Sequence, residues 1–251
     1  MKPEEIALQL AHFVAPDQVT ELRALHVGQR GRTFAGWYDG EHLRHLAKHA
    51  LSLSREAAGV YFIPNPVNAS LLARRPNDVS NVYKDRPALT RDADILERRF
   101  ILIDIDPRRH VPDEATGLPP DESGPSHELE MDFAKTLAFE FVKPLLASFG
   151  FAAPVVMCSG NGIHMIYRLS EPIPGTMPEI VDPLASLLKV IGERLNCYGA
   201  TIDAHTYNAC RMLKVPGTVV RRGSATPNRP HRTAEIIEVP NDWKSVSAAL
   251  V

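Results

Sequence analysis

Hydrophobic and polar positions in this chain alternate with two different periods. Ile6, Leu10 and Phe13 recur at helical spacing and predict a helix over 4–14. Residues 21–27 and 33–38 predict strands, and 41–53 a helix. The short apolar run 59–63 predicts a strand leading into Pro64-Asn65-Pro66-Val67-Asn68, which must turn or extend. Together these predict an N-terminal α/β module over 1–95, closing in a polar, irregular stretch at 76–92.

The period then changes. Phe100-Ile101-Leu102-Ile103-Asp104-Ile105-Asp106 is β-branched and almost wholly apolar, the pattern of a central strand buried on both faces. Residues 107–125 are rich in Pro, Gly, Asp and Ser and predict a mobile loop. A long helix follows over 126–149, with Phe133, Leu137, Phe141 and Leu145 on one stripe, Ala134, Ala138 and Val142 beside it, and Gly150 as its stop. Strands at 154–158 and 163–169 flank the turn Ser159-Gly160-Asn161-Gly162, whose Asn-Gly pair suits positive φ. A helix over 178–195 places Ile180, Leu184, Leu187, Leu188, Ile191 and Leu195 on one face, and 234–239 predicts a last strand. The expected class is therefore α+β. Its second module, 96–240, has the β-α-β-β-α-β order of ferredoxin-like or RNA-recognition-like folds.

Composition narrows the function classes. The chain has 251 residues, 44% apolar and 23% charged, enough for one large domain or two closely joined modules. No apolar run approaches the ~18 residues of a membrane span, and the acidic start Met1-Lys2-Pro3-Glu4-Glu5 does not read as a secretory signal. Cys158, Cys197 and Cys210 form no Cys-x-x-Cys pair. They are expected to be reduced, mostly buried thiols of a cytoplasmic protein, without a disulfide framework or a zinc site. The formal net charge is −2, so the whole chain is not basic. Ala204 to Ala234, however, contains no acid while holding Arg211, Lys214, Arg221, Arg222, Arg229 and Arg232 with His205 and His231. Such a strip suits phosphate contact or is a solvated cationic loop.

Three clusters carry chemistry. Asp104 and Asp106, two apart on a strand, project from one face. Paired carboxylates on a buried strand repel and are costly to desolvate, a conflict that a divalent cation or the neighbouring Arg108 and Arg109 would relieve. Such a pair also fits glycosyltransferases. In Ser159-Gly160-Asn161-Gly162-Ile163-His164, glycines permit close backbone approach to a ligand, and Ser159, turn amides and His164 can donate to phosphate oxygens. An ordinary hairpin with a hydrogen-bonded histidine fits as well. Asp203 stands as a lone acid before the basic strip, in which Arg211 and Lys214 share a helical face or sit on a bend before Pro216-Gly217.

In order, Asp-x-Asp at the end of a strand, Ser-Gly-x-Gly-x-His on a hairpin and hydrophobic-Asp resemble the three motifs of the archaeo-eukaryotic primase superfamily, over residues 100 to ~222. Arg211 to Thr218 and the Asn-Pro-x-Asn after residue 63 resemble stretches of its phage- and plasmid-borne primase-polymerases. The resemblance implies an RNA-recognition-like catalytic module packed against an N-terminal α/β module. It implies a DNA primase-polymerase of the cytoplasm, encoded by a bacterium or a mobile element. Asp104, Asp106 and Asp203 would bind two Mg²⁺ or Mn²⁺ ions and no zinc. Ser159, Gly160, Asn161, Gly162, His164, Arg211 and Lys214 would hold a nucleoside triphosphate, and Arg221 and Arg222 nucleic acid. Single-stranded DNA template and primer are the implied partners, with a helicase or other replication protein, and no membrane. Many relatives add a zinc element or a helical or helicase domain; neither is read in these 251 residues, so primer extension is expected before unaided initiation. A silent nucleic-acid-binding replication module of the same fold, a nuclease, or another metal-dependent phosphoryl- or glycosyl-transfer enzyme are the alternatives.

Overall fold

A computed structural model describes residues 1–85, 88–112, 117, 120–175, 178–196, 199–241 and 243. Cys197 and the side chain of Ile180, both assigned from the sequence, lie outside the described residues. The chain divides into two compact units, one of Met1–Arg99, Pro172–Thr176 and Asn208–Val220, the other of Phe100–Glu171, Met177–Tyr207 and Arg221–Val251. It is a mixed α and β protein with two five-stranded sheets. Among the described residues, no helix is long and apolar enough to cross a membrane.

In the first unit, α1 (Pro3–Leu10) is shorter than expected, yet Phe13 beyond its end is still buried against Phe62. Strands β1 (Val19–Val27), β2 (Arg32–Asp39), β3 (Gly59–Phe62) and β4 (Ser80–Asn81) form the sheet β4-β2-β1-β3-β9, where β9 is Leu213–Lys214. β1 pairs antiparallel with β2, Leu22 opposite Gly36, and with β3, Leu22 opposite Phe62. Helix α2 (Leu43–Leu53), entered through a short 3-10 turn, buries Leu43, Leu46, Ala47 and Ala50, and α3 (Val82–Asp85) is a single turn. Val19, Trp37, Ile63, Val67, Leu71, Ile95 and Ala209 make a second apolar cluster. The Asn-Pro-x-Asn turn has a structural use: Asn65 donates to the Ala209 carbonyl at 2.9 Å and accepts from the Arg99 N–H at 2.9 Å, tying residues distant in sequence together.

The second unit is built on β5 (Glu97–Pro107), β6 (Val155–Cys158), β7 (Ile163–Pro174) and β8 (Ala200–Ile202). After β9 and β10 (Val219–Val220) the chain returns to it with β11 (Arg232–Thr233) and β12 (Glu235–Glu238). Its sheet runs β12-β6-β7-β5-β8. The sixth element of the expected order is thus β8, a three-residue strand too short to show in the sequence pattern, whereas Glu235–Glu238 is added at the opposite edge. Ile101, Ile103 and Ile105 face the core, as strand alternation requires.

The expected helix 126–149 is not one regular helix. An α-helical stretch α4 (Glu128–Thr136) passes through a π-helical turn at Leu137–Val142 into α5 (Lys143–Ser148). Of the expected stripe, Leu137 is buried, Phe141 and Leu145 are half-buried and Phe133 is exposed, whereas the row beside it, Ala134, Ala138 and Val142, is buried throughout, with Met131 and Leu146. Helix α6 (Pro178–Leu195) buries Leu184, Leu188 and Ile191 as its periodicity predicts.

Candidate active site

Asp104 and Asp106 lie on β5 and share a face because strand side chains alternate. β8 pairs antiparallel with β5, Ile105 opposite Ile202 and Asp106 opposite Thr201. One step further, the Asp203 N–H donates to the Asp104 carbonyl at 2.9 Å. That register sets Asp203 opposite Asp104, so all three aspartates belong to one sheet face. The turn after Asp203 is pinned to β5 by Thr206, whose hydroxyl donates to the Leu102 carbonyl at 2.9 Å. Asp203 Oδ1 accepts the His205 N–H at 2.8 Å.

His164 starts β7, the neighbour of β5, and is buried. Its Nε2 lies 3.3 Å from Asp104 Oδ1, and its Nδ1 is buried without a hydrogen-bond partner. The Ser159–Gly162 turn differs from its expected form. Positive φ falls on Gly160 (93°), not on an Asn-Gly pair, and Ser159 N–H donates to the Gly162 carbonyl at 2.9 Å. The loop is therefore Gly160-Asn161, with glycine first, as in II′ hairpins. Gly162 is needed for space: a Cβ there would stand 2.5 Å from the Ile105 carbonyl oxygen and 2.9 Å from Asp106 Oδ1. Asn161 is engaged internally, its side-chain oxygen accepting the Ser126 N–H at 3.0 Å and its carbonyl accepting the Ser126 hydroxyl at 2.8 Å.

Electrostatics single out Asp106. Burial, then the Asp104 charge, push its carboxyl up to about 6, against the pull of His164, Arg222 and Arg109. Arg109 is a residue that the sequence offered only as an ion-pair partner. Its Nη1 donates to the Pro107 carbonyl at 2.6 Å and its Nε to the Gly124 carbonyl at 3.3 Å. Arg222 donates weakly, at 3.5 Å, to the Glu122 carbonyl, and the adjacent Gly223 packs on Gly124. Burial and the charge of Arg222 both depress the Arg109 pKa. Two guanidiniums that repel each other beside a carboxylate pair suit an anionic ligand that brings its own cations.

The residues of the basic strip are divided between the two units. Arg211 and Lys214 belong to the first unit. Lys214 is not on a helix; it sits on β9 opposite Tyr61, donating to the Tyr61 hydroxyl at 2.5 Å. Arg229 is buried in a two-pronged ion pair with Glu130, at 2.8 Å on each prong, and Arg232 pairs with Glu128. The described part of the expected mobile loop 107–125 is anchored on the same pair: Glu130 accepts the His110 and Val111 N–H groups, and Arg229 donates to the Pro125 carbonyl. Cys158 and Cys210 are free thiols, with burial raising both pKa values, that of Cys210 to about 11.

Among the described residues, no three His, Cys, Asp or Glu side chains already converge closely enough to hold a metal ion. The donor set nevertheless fits a hard divalent cation: three carboxylates on one face, two of them repelling, with a buried histidine beside them.

The sequence matches no family model and no curated protein. Its fold does have solved counterparts. The archaeo-eukaryotic primase domain of the primase-polymerase of cyanophage S-2L superposes with a TM-score of 0.51 at 11% identity, over 98% of this chain and 94% of that one. The primase RepB′ superposes with a TM-score of 0.51 at 9% identity, over 99% of this chain, which spans 60% of that protein.

Proposed function

We propose, from the archaeo-eukaryotic primase fold that this chain shares, that it is a primase-polymerase: a nucleotidyltransferase that extends or synthesises a primer on a single-stranded nucleic-acid template. The observation that carries the reading is the common face of Asp104, Asp106 and Asp203, joined across β5 and β8 by the Asp203–Asp104 backbone bond, with His164 beside it. A binding module gains nothing from three acids facing phosphate. A nucleotidyltransferase needs them.

In this reading Asp104, Asp106 and Asp203 hold Mg²⁺ or Mn²⁺. When bound, such ions lower the pKa of a primer 3′-hydroxyl and neutralise the triphosphate. His164 donates to a phosphate oxygen of the incoming nucleotide, and Ser159 and the turn amides orient the same group. Gly162 lets the hairpin lie close to Asp106, so the turn proposed to bind phosphate packs against the strand that carries the carboxylates. Arg109 and Arg222 neutralise phosphates of the incoming nucleotide, and Arg221 and Arg222 contact the template backbone. On the first unit, Arg211 and Lys214 are proposed as further phosphate contacts.

The test is a primer–template incubated with the purified chain, labelled deoxy- or ribonucleotides and Mg²⁺ or Mn²⁺. A longer product that needs template and metal supports the reading. Shortening of the primer indicates a nuclease, and no change in wild type alongside template binding indicates the silent module.

A further inference from the structure

Glu130 is fully buried, yet it lies outside the carboxylate face and none of the sequence motifs includes it. It stands in the first turn of α4 and accepts five hydrogen bonds. Oε1 takes the His110 N–H (2.9 Å), the Val111 N–H (3.0 Å) and Arg229 Nη2 (2.8 Å). Oε2 takes the His127 N–H (2.9 Å) and Arg229 Nη1 (2.8 Å). Arg229 in turn donates to the carbonyls of Pro125 at 2.9 Å and Val111 at 2.5 Å.

This pair joins segments that no regular ladder orders. The first is the turn after β5, which carries Arg109. The second is residues 125–127, whose Ser126 clasps Asn161 of the hairpin turn from both its N–H and its hydroxyl. Arg232 donates to the Ser126 carbonyl at 2.6 Å and fixes the same segment from the far side. Both routes end at Asp106: one through the charge of Arg109, the other through Gly162, where a Cβ would stand 2.5 Å from the Ile105 carbonyl oxygen and 2.9 Å from Asp106 Oδ1. A buried ion pair contributes little net stability over well-packed apolar residues, but it fixes geometry where backbone groups need directed partners.

We propose that Glu130, with Arg229, is a positioning residue of the candidate site: it sets the Arg109 turn and the Gly160-Asn161 turn against Asp106, and so governs nucleotide affinity rather than the chemical step. This rests on the primase-polymerase reading.

The experiment uses the full chain and compares wild type, Glu130→Gln, Arg229→Lys and the double variant Glu130→Leu/Arg229→Leu. Steady-state primer extension gives KM for the nucleotide and kcat, and amide hydrogen exchange gives the order of the two turns. Loss of binding that is equal in the ground and transition states raises KM and leaves kcat, so the expected rise in KM is about 10-fold in Glu130→Gln, with kcat changed no more than about 3-fold. Arg229→Lys should show a smaller rise. The apolar double variant should recover thermal stability but keep the raised KM. Exchange at His110, Val111 and the Gly160–Gly162 turn should quicken while β5 and β7 stay protected. If KM is unchanged and the variants lose only active protein, or if the double variant has wild-type KM, the positioning role is wrong. If wild type extends no primer, the proposed function falls, and the exchange result alone decides the positioning: unchanged protection of the two turns overturns it.

Discussion

The backbone N–H of Asp203 donates to the carbonyl of Asp104 at 2.9 Å, and this single bond brings a third carboxylate to the strand that carries the other two. It continues the ladder in which Asp106 faces Thr201 and Ile105 faces Ile202. Because directly opposed residues in antiparallel strands project from the same face, the register makes the trio.

Asp104→Ala and Asp203→Ala should each lower template-directed incorporation by roughly 100-fold or more, since charge stabilisation in a water-poor site is usually the largest catalytic contribution. Both should keep the wild-type far-ultraviolet circular dichroism spectrum. Normal incorporation by Asp104→Ala in Mg²⁺ or Mn²⁺ would remove the carboxylates from the mechanism.

The crowded carboxylates should cost stability in the metal-free protein. Burial and the Asp104 charge hold the Asp106 carboxyl at about 6, so at neutral pH the folded state carries a charge it disfavours. Asp106→Asn should melt a few degrees higher than wild type in chelator. Added Mn²⁺ should raise the melting temperature of wild type more than that of the variant, because a ligand bound to the folded state stabilises it by mass action.

Glu130 should make acid unfolding cooperative with its own protonation. Burial alone would raise its pKa, but hydrogen bonds from Arg229 and from the His127, Val111 and His110 N–H groups outweigh it and lower the value from 4.5 to about 2. A lowered carboxylate contributes stability that is complete above its unfolded pKa and is lost as pH falls from about 4.5 towards about 2. That contribution is up to about 3 kcal/mol. Urea midpoints of wild type and Glu130→Gln should therefore differ at pH 7 and converge towards pH 2. A gap independent of pH would contradict the assignment.

Gly162→Ala should be damaging in spite of its small size. The added methyl would meet the Ile105 carbonyl oxygen at 2.5 Å and Asp106 Oδ1 at 2.9 Å, so the hairpin must lift away from β5. Overpacking of this kind costs typically about 1–3 kcal/mol. Primer extension should fall by about 10-fold or more, because the displaced turn takes Ser159 and His164 with it. A denaturation midpoint equal to that of wild type would show that the turn absorbs the methyl.

Arg222→Ala should separate binding from folding. Its side chain is exposed and its hydrogen bond to the Glu122 carbonyl is long, so the free energy of unfolding should stay within about 0.5 kcal/mol of wild type. Single-stranded DNA binding or nucleotide KM should weaken, and the salt dependence of template binding should become shallower. A steeper or unchanged salt slope with unchanged KM would exclude Arg222 from phosphate contact.

Several features were legible before any coordinates. The period-2 pattern of residues 100–106 determines that Asp104 and Asp106 share a face and that Ile101, Ile103 and Ile105 are core. Helical spacing determines the buried side of α2 and of the described part of α6. The glycines around Asn161 announce a hairpin, and His164 follows from its place at the start of the return strand. All of these depend on neighbours within a few residues, where backbone geometry alone decides which way a side chain points.

The rest depended on partners far apart in the chain. Ala200–Ile202 becomes a strand only because β5 offers it a ladder, and Asp203 gains its place only from that pairing. The π-helical turn at Leu137–Val142 interrupts the helix, and Phe133 is exposed while Leu137 on the same expected stripe is buried, a difference that local spacing does not encode. The acid-free segment 204–234 reads as one cationic strip, but folding assigns Lys214 to a sheet edge in the first unit, Arg222 to the neighbourhood of Asp106 and Arg229 to a buried carboxylate. Sequence by itself determined which residues had the chemistry and which face of each element they occupied. Tertiary structure decided which of those faces meet, because strand register and buried ion pairs are set by long-range contacts that no local period records.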